Sequence, residues 1–325
     1  MLGFKPFKFI RQMGGMNNHL YKIVGEDNRT LLLKIYVNDG HSRLERESRA
    51  CKYLTKKLFP VPKVIFIDSK RYFGIFSFIK GRPKKAENVN KNDISVMVDF
   101  ITNLESCRPR YKSFLKTTTP YLSLSDYVNY LDERLKSLRV SLEAGDYDNQ
   151  ARTFIEDVSL VEYLEARRDK LTQDINKSKC SKKLEVNKLV LSPLDFGPHN
   201  MLFNKKGEAT FIDLEKFGWD DPTHVIVSFI NHIQTSKMSL ENKKLFLRLY
   251  FEKSNYSKSV FERLTKIYQI DELGWIAFLA CTMVTEKLQH YLDTQPHISK
   301  DNYINGQIRE IKKRLEDKQD LSSLM

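Results

Sequence analysis

The segment from Leu191 to Asp221, LSPLDFGPHNMLFNKKGEATFIDLEKFGWDD, constrains this 325-residue chain more than any other stretch. Met201-Leu202-Phe203 and Ala209-Thr210-Phe211-Ile212 are short apolar runs of strand type. Asn204-Lys205-Lys206-Gly207-Glu208 between them reads as a turn, with Gly207 able to take a positive backbone torsion. A hairpin of this length returns Asp213 to the side of the loop that carries Asp195 and Asn200. Three oxygen-bearing side chains are thereby gathered on one strand–loop–hairpin unit.

Those residue types suit phosphoryl transfer. The reaction asks a protein chiefly to hold magnesium on the phosphates and to orient the attacking hydroxyl. One carboxylate accepting the hydroxyl hydrogen, an amide oxygen on a metal and a second carboxylate bridging metals would do this. Asp195, Asn200 and Asp213 can fill those roles. An Asp and an Asn in a loop containing Gly and Pro also serve as plain turn formers, so the trio gains weight only if a phosphate-holding element exists elsewhere.

The N-terminus offers one. Lys8 to Arg11 reads as a strand, Gln12 to Asn18 as a glycine-bearing turn, and His19 to Val24 as a returning strand. Gly14 and Gly15 would let backbone amides approach phosphate oxygens with no Cβ in the way. Leu31-Leu32-Leu33-Lys34-Ile35-Tyr36 is an apolar strand broken by one lysine. Such a lysine either points to solvent from an edge strand or holds phosphates with a carboxylate to fix its ammonium. Ser42 to Leu54 reads as a helix whose Leu44, Cys51 and Leu54 share a face. Glu47 borders that face and is the better partner; Glu45 lies on the other side and reads as solvated.

Taken in order, GGMNNHLY, LLLKIY, RESRACKYL, DFGPHN and FIDLE resemble the aminoglycoside phosphotransferase and choline kinase group of small-molecule kinases, across residues 8 to 230. The resemblance implies a bilobal, protein-kinase-like α+β fold. A small β-rich N-lobe, residues 1–81, would bind nucleotide; a large, mainly helical C-lobe, residues 82–325, would carry the catalytic loop and the acceptor. It further implies ATP and Mg2+ as cofactors, Asp195 as catalytic base, and Asn200 and Asp213 as metal ligands. Nucleotide contacts would come from Gly14, Gly15, Asn18, the Lys34–Glu47 pair, and a hinge at Ser77, Phe78 and Ile79. Glu215 matches an acidic family position that helps with metal or substrate.

One position departs from the family pattern. A histidine usually stands two residues before the catalytic aspartate, and here Pro193 takes its place after Ser192. That histidine supports the loop, so its loss bears on positioning more than on chemistry, and proline could stiffen the same turn. His199 is a conceivable replacement donor but reads first as a loop histidine satisfied by solvent. The departure keeps a nucleotide-binding pseudokinase scaffold in play. A protein kinase is a further alternative, weakened by the lack of an Ala-Pro-Glu-type anchor after Asp213.

With 41% hydrophobic residues the chain can bury a sizeable core. Cys51, Cys107, Cys180 and Cys281 show no paired metal spacing and read as reduced thiols of a cytoplasmic protein. No signal peptide is expected. Gly274 to Val284 is too short to span a bilayer and reads as a buried helix. Of the net charge of +13, residues 1–80 carry +10 and residues 219–325 only +1. The excess suits a polyphosphate ligand, and with no aromatic-interleaved basic motif no nucleic acid is expected as partner.

A small-molecule hydroxyl acceptor follows from the resemblance. No acidic excess after Trp219 favours a polycation, so a sugar, sugar derivative or amino alcohol is preferred over an aminoglycoside. Asp220-Asp221-Pro222 reads as a helix-capping turn. Leu124, Val128, Leu131, Leu135, Leu138 and Leu142 define an amphipathic helix ended by Gly145, and Phe154 to Ile175 reads as a second. Lys177 to Lys183 reads as a connector before the strand Lys188 to Leu191, Arg82 to Asn92 as the crossing between lobes, and Asn302 to Leu315 as a charged helix.

Overall fold

The structure, a computed structural model, describes residues 5–12, 18–177, 183–254, 258–295 and 297–316. It is a mixed α/β fold with a small antiparallel sheet in the N-terminal lobe and a mainly helical C-terminal lobe. By packing, the chain forms two compact units. One comprises Met1–Pro120, Val186–Phe229 and Ile233–Ser254; the other comprises Tyr121–Glu185, Ile230–His232 and Asn255–Met325.

In the first unit, β1 (Pro6–Gln12), β2 (Asn18–Gly25), β3 (Thr30–Tyr36), β4 (Val64–Asp68) and β5 (Phe73–Ser77) form a sheet in the order β1-β2-β3-β5-β4. Every neighbouring pair is antiparallel. Register sets Lys34 between Leu20 and Gly74 in the middle of the sheet. The two-residue period of a strand puts Lys34 and Tyr36 on one face, and both are buried. Helix α1 (Arg43–Lys56) buries Leu44, Cys51 and Leu54, and Glu47 with them.

After β5 the chain runs to Arg82, which exchanges two backbone hydrogen bonds with Phe203. A Cβ at Gly81 would lie 2.9 Å from the Phe203 carbonyl oxygen, so only glycine lets this connector lie against the hairpin. That hairpin is β7 (Met201–Phe203) and β8 (Ala209–Phe211), turned through Gly207 at φ +81. β6 (Val190–Ser192) pairs with β9 (Gly218–Asp220). The hydrophobic floor of the unit includes Phe100 of α2 (Lys91–Ser106), whose ring stacks on that of Phe211 at 3.7 Å. An Asn90–Asp93 capping box starts α2.

The second unit is helical. α3 (Leu124–Glu143) starts at a Ser123–Asp126 capping box and buries Leu124, Leu131, Leu135 and Leu138. Val128 and Leu142 are half-buried, and Gly145 at φ +73 follows the helix end. The expected single helix from Phe154 to Ile175 is two helices, α4 (Asn149–Asp157) and α5 (Leu160–Asn176). Ser159 breaks them with φ +45, and the turn lets Ile155 on one side and Leu160 and Val161 on the other all reach the core. Periodicity alone did not register this break because both halves keep helical spacing. α3 packs on α5 and on the later helix α8 (Lys258–Cys281).

α6 (Pro222–Asn231) begins where Asp221 accepts from the Thr223 amide at 2.8 Å, the expected capping turn. Asp220 instead turns inward to the His224 ring at 2.7 Å and the Thr117 hydroxyl at 3.0 Å. α7 (Leu240–Lys253), α8 (Lys258–Cys281), α9 (Thr285–Thr294) and α10 (Lys300–Glu316) complete the chain. Gly274 to Cys281 forms the end of α8, with Leu279, Ala280 and Cys281 buried. Among the described residues, no helix is long and apolar enough to cross a membrane.

Candidate active site

Two clusters occupy the first unit. The first is centred on Lys34, whose Nζ lies 2.7 Å from Glu47 Oε2, 2.5 Å from Asp213 Oδ1 and 3.4 Å from Glu215 Oε2. Lys34 is only 4% exposed. Burial pulls against its charge, but the carboxylates of Asp213, Glu47 and Glu215 outweigh this and raise its pKa above the ordinary lysine value. Burial pushes the Glu47 carboxyl up, and Lys34 opposes that shift without cancelling it. Tyr36, two residues on, donates its hydroxyl to Glu47 at 2.8 Å. Glu45 sits apart and accepts from Tyr72 at 3.2 Å.

Asp213 reaches Lys34 because the hairpin continues past its strands. The Ile212 amide donates to the Asn200 carbonyl at 2.9 Å, and the next residue, Asp213, takes the left-handed conformation at φ +61. Such a torsion costs a non-glycine residue energy and is held by its surroundings. Its side chain keeps 37% exposure. Asn200 spends its amide nitrogen on the Asp195 carbonyl at 3.0 Å, which fixes the carboxamide and leaves its oxygen as a ligand atom. An amide oxygen and a carboxylate are hard oxygen donors of the kind a divalent cation takes.

The second cluster surrounds Asp195. Leu194 precedes it at φ +62, and the Leu194 amide donates to Ser192 Oγ at 3.0 Å. The Asp195 amide closes a tight turn onto the Pro193 carbonyl at 2.8 Å. Ser192 and Pro193 thus brace the loop at the position of departure from the family pattern. Asp195 Oδ2 lies 2.8 Å from Lys216 Nζ, and Oδ1 lies 2.9 Å from His199 Nε2. The expectation that solvent satisfies His199 is corrected: it lies in the 3₁₀ turn Pro198–Asn200, four residues after Asp195, and its ring meets the carboxylate. Burial works against the Lys216 charge, but Asp195 outweighs it and raises the Lys216 pKa.

Of the other expected nucleotide contacts, Asn18 begins β2 and donates its side-chain amide to Glu215. Ser77 is the last residue of β5, and its backbone amide is already spent on the Lys63 carbonyl at 2.8 Å. Phe78 and Ile79 follow in the irregular connector, with Lys22 Nζ 5.1 Å above the Phe78 ring. Gly14 and Gly15 lie outside the described residues. A surface cavity of about 530 Å³, bordered by Lys57, Phe59, Phe100 and Arg108, contains none of these residues.

Sequence reading missed Arg43 and Lys216. Arg43 stands one helical turn before Glu47 on the same face, a usable signal; it donates to Glu215 and is held by Asp39. Lys216 had no signal beyond adjacency to Glu215.

Residues 10–238 match the model of the phosphotransferase enzyme family. The chain belongs to that family. No curated protein sequence matches this phosphotransferase. Solved structures do match its fold. Plasmodium vivax ethanolamine kinase is 14% identical with a TM-score of 0.64, over 98% of this chain and 84% of that one. A spectinomycin phosphotransferase in complex with ADP and spectinomycin is 12% identical at 0.62, over 95% and 94%. An amicoumacin kinase in complex with AMP-PNP, Ca2+ and Ami is 14% identical at 0.62, over 98% and 91%. At such identities the likeness concerns the fold.

Proposed function

We propose that this phosphotransferase moves the γ-phosphate of ATP to a hydroxyl of a small molecule, a sugar, sugar derivative or amino alcohol before an aminoglycoside. Residues 1–81 serve as the nucleotide lobe and residues 82–325 as the lobe for catalysis and acceptor. The observation that carries the reading is Lys34 joined at once to Glu47 and Asp213. Nothing in packing alone calls for a buried ammonium at the meeting point of a strand, a helix and a loop 179 positions further along the chain. A phosphate anchor beside a metal segment does.

In this reading Lys34 holds the phosphates, with Glu47 fixing its ammonium, and Gly14, Gly15 and Asn18 border them. The backbone of Phe78 and Ile79 reads the adenine edge; Ser77, its amide engaged, acts through the end of β5. Asn200 and Asp213 hold Mg2+, which when bound neutralises charge on the phosphates. Asp195 accepts the hydrogen of the acceptor hydroxyl on a carboxylate that Lys216 and His199 also hold in place. The free thiols of Cys51, Cys107 and Cys281 suit a reducing, cytoplasmic setting.

Occupation of both Asp195 oxygens also favours a second reading, a nucleotide-binding pseudokinase scaffold. A screen of hydroxyl compounds for ADP release with ATP and magnesium, using Asp213→Asn as the blank, separates them. The kinase reading expects at least one acceptor to stimulate ADP release by wild type and none with the blank. Nucleotide binding without turnover on any acceptor would leave the scaffold.

A further inference from the structure

We propose that Glu215 is a positioning residue, a latch that ties α1 and the start of β2 to the Asp213 segment, and not a ligand for the metal. The inference rests on the phosphotransfer reading above, within which an acidic side chain two residues after Asp213 invites a metal-binding role.

The surroundings of Glu215 argue otherwise. It is 4% exposed, whereas the Asp213 side chain keeps 37%. Its Oε1 accepts from Arg43 Nη1 and its Oε2 from Asn18 Nδ2, with Lys34 Nζ 3.4 Å from that second oxygen. Magnesium sheds water reluctantly and needs near-octahedral room. The carboxylate oxygens of Glu47, Asp213 and Glu215 lie within 4.8 Å of one another, but the Lys34 ammonium already sits among them and Arg43 and Asn18 engage both oxygens of Glu215.

The same contacts do something else well. Arg43 and Glu47 are one turn apart on the buried face of α1. One helix face therefore sends Glu47 to Lys34 and Arg43 to Glu215, so a rotation of α1 that breaks one contact strains the other. Arg43 is itself fixed from behind, its Nε and Nη2 lying 2.7 and 2.6 Å from Asp39 Oδ2. Asn18 adds the third arm, fixing the start of β2. When Lys34 turns from the carboxylates to nucleotide phosphates, Arg43 remains to neutralise Glu215. The helix then keeps the orientation in which Glu47 holds Lys34.

The test compares Arg43→Gln, Glu215→Gln and the double variant in three measurements: kcat/KM for ATP, the magnesium concentration for half-maximal rate, and hydrogen exchange of α1 amides without ligand. A latch lowers kcat/KM about tenfold in each single variant, with the double no worse than the weaker single, since either substitution already breaks the Arg43–Glu215 contact. The magnesium requirement stays as in wild type, and α1 exchanges faster in all three. A tenfold higher magnesium requirement in Glu215→Gln alone would overturn the latch, as would multiplicative effects or unchanged α1 exchange. Should Glu215→Gln fail to fold, Glu215→Asp, one methylene too short to span to Arg43, carries the same comparison. If wild type turns over no acceptor, the exchange measurement still decides the latch, and only the phosphotransfer reading is lost.

Discussion

Around Lys34 the charges are nearly dry, the side chains of Lys34, Glu47 and Glu215 being 5–6% exposed; around Asp195 they are wetter, with Asp195, His199 and Lys216 at 21, 22 and 32%. A buried charge without a partner is expensive, so each member of the first cluster needs the others, and the geometry must exist before any ligand arrives. Members of the second can exchange a protein partner for water at little cost. The Lys34 cluster is thereby built into the fold, while the Asp195 cluster keeps partners it can release; on the proposed reading these are the phosphate-anchoring and hydroxyl-receiving ends.

The largest effect tests the wetter cluster. Asp195→Ala should lower kcat about 10²–10⁴-fold, the span ascribed to a positioned base, while leaving the unfolding midpoint close to wild type. Lys216 and His199, losing their shared partner, have solvent to turn to. Steady-state kinetics beside thermal unfolding checks both halves; a large fall in stability would erase the distinction drawn here.

The dry cluster should behave in the opposite way. Lys34→Met leaves Glu47 and Glu215 buried without their ammonium and should cost about 3–5 kcal/mol of stability, read by urea unfolding. Tyr36→Phe removes one neutral donor from Glu47 and should cost about 1 kcal/mol by the same measurement. A Lys34→Met protein as stable as wild type would mean that the carboxylates had taken up protons or water, and that the cluster is not closed.

Much of this was written in the chain. The strand carrying Lys34, the choice of Glu47 over Glu45, and the hairpin that returns Asp213 beside Asn200 all follow from local period and turn length. What escaped depends on long separations or on backbone torsion. Arg43 meets Glu215 across 172 positions, a distance no periodicity registers. Leu194 and Asp213 adopt positive φ although neither is glycine, because tertiary packing and not residue preference holds them. Ser159 divides a continuous apolar stripe for the same kind of reason: which core each half joins is decided outside the stripe.

The smallest predicted effect concerns Lys216 and is read in pH. Its pKa is raised in the folded protein, burial opposing the charge and Asp195 outweighing burial. A group raised above its ordinary value of 10.5 contributes stability that is fully present below that pH. As pH climbs beyond it, the unfolded chain gives up the proton first and the contribution is lost through the folded value. Lys216→Met should therefore unfold with a midpoint that declines less steeply than wild type above pH 10.5 and runs parallel to it near neutrality, as followed by circular dichroism. Because the side chain is one-third exposed, the separation between the curves should be modest. A separation as large as that caused by Lys34→Met would place Lys216 in the dry class with Lys34 and erase the contrast between the two clusters.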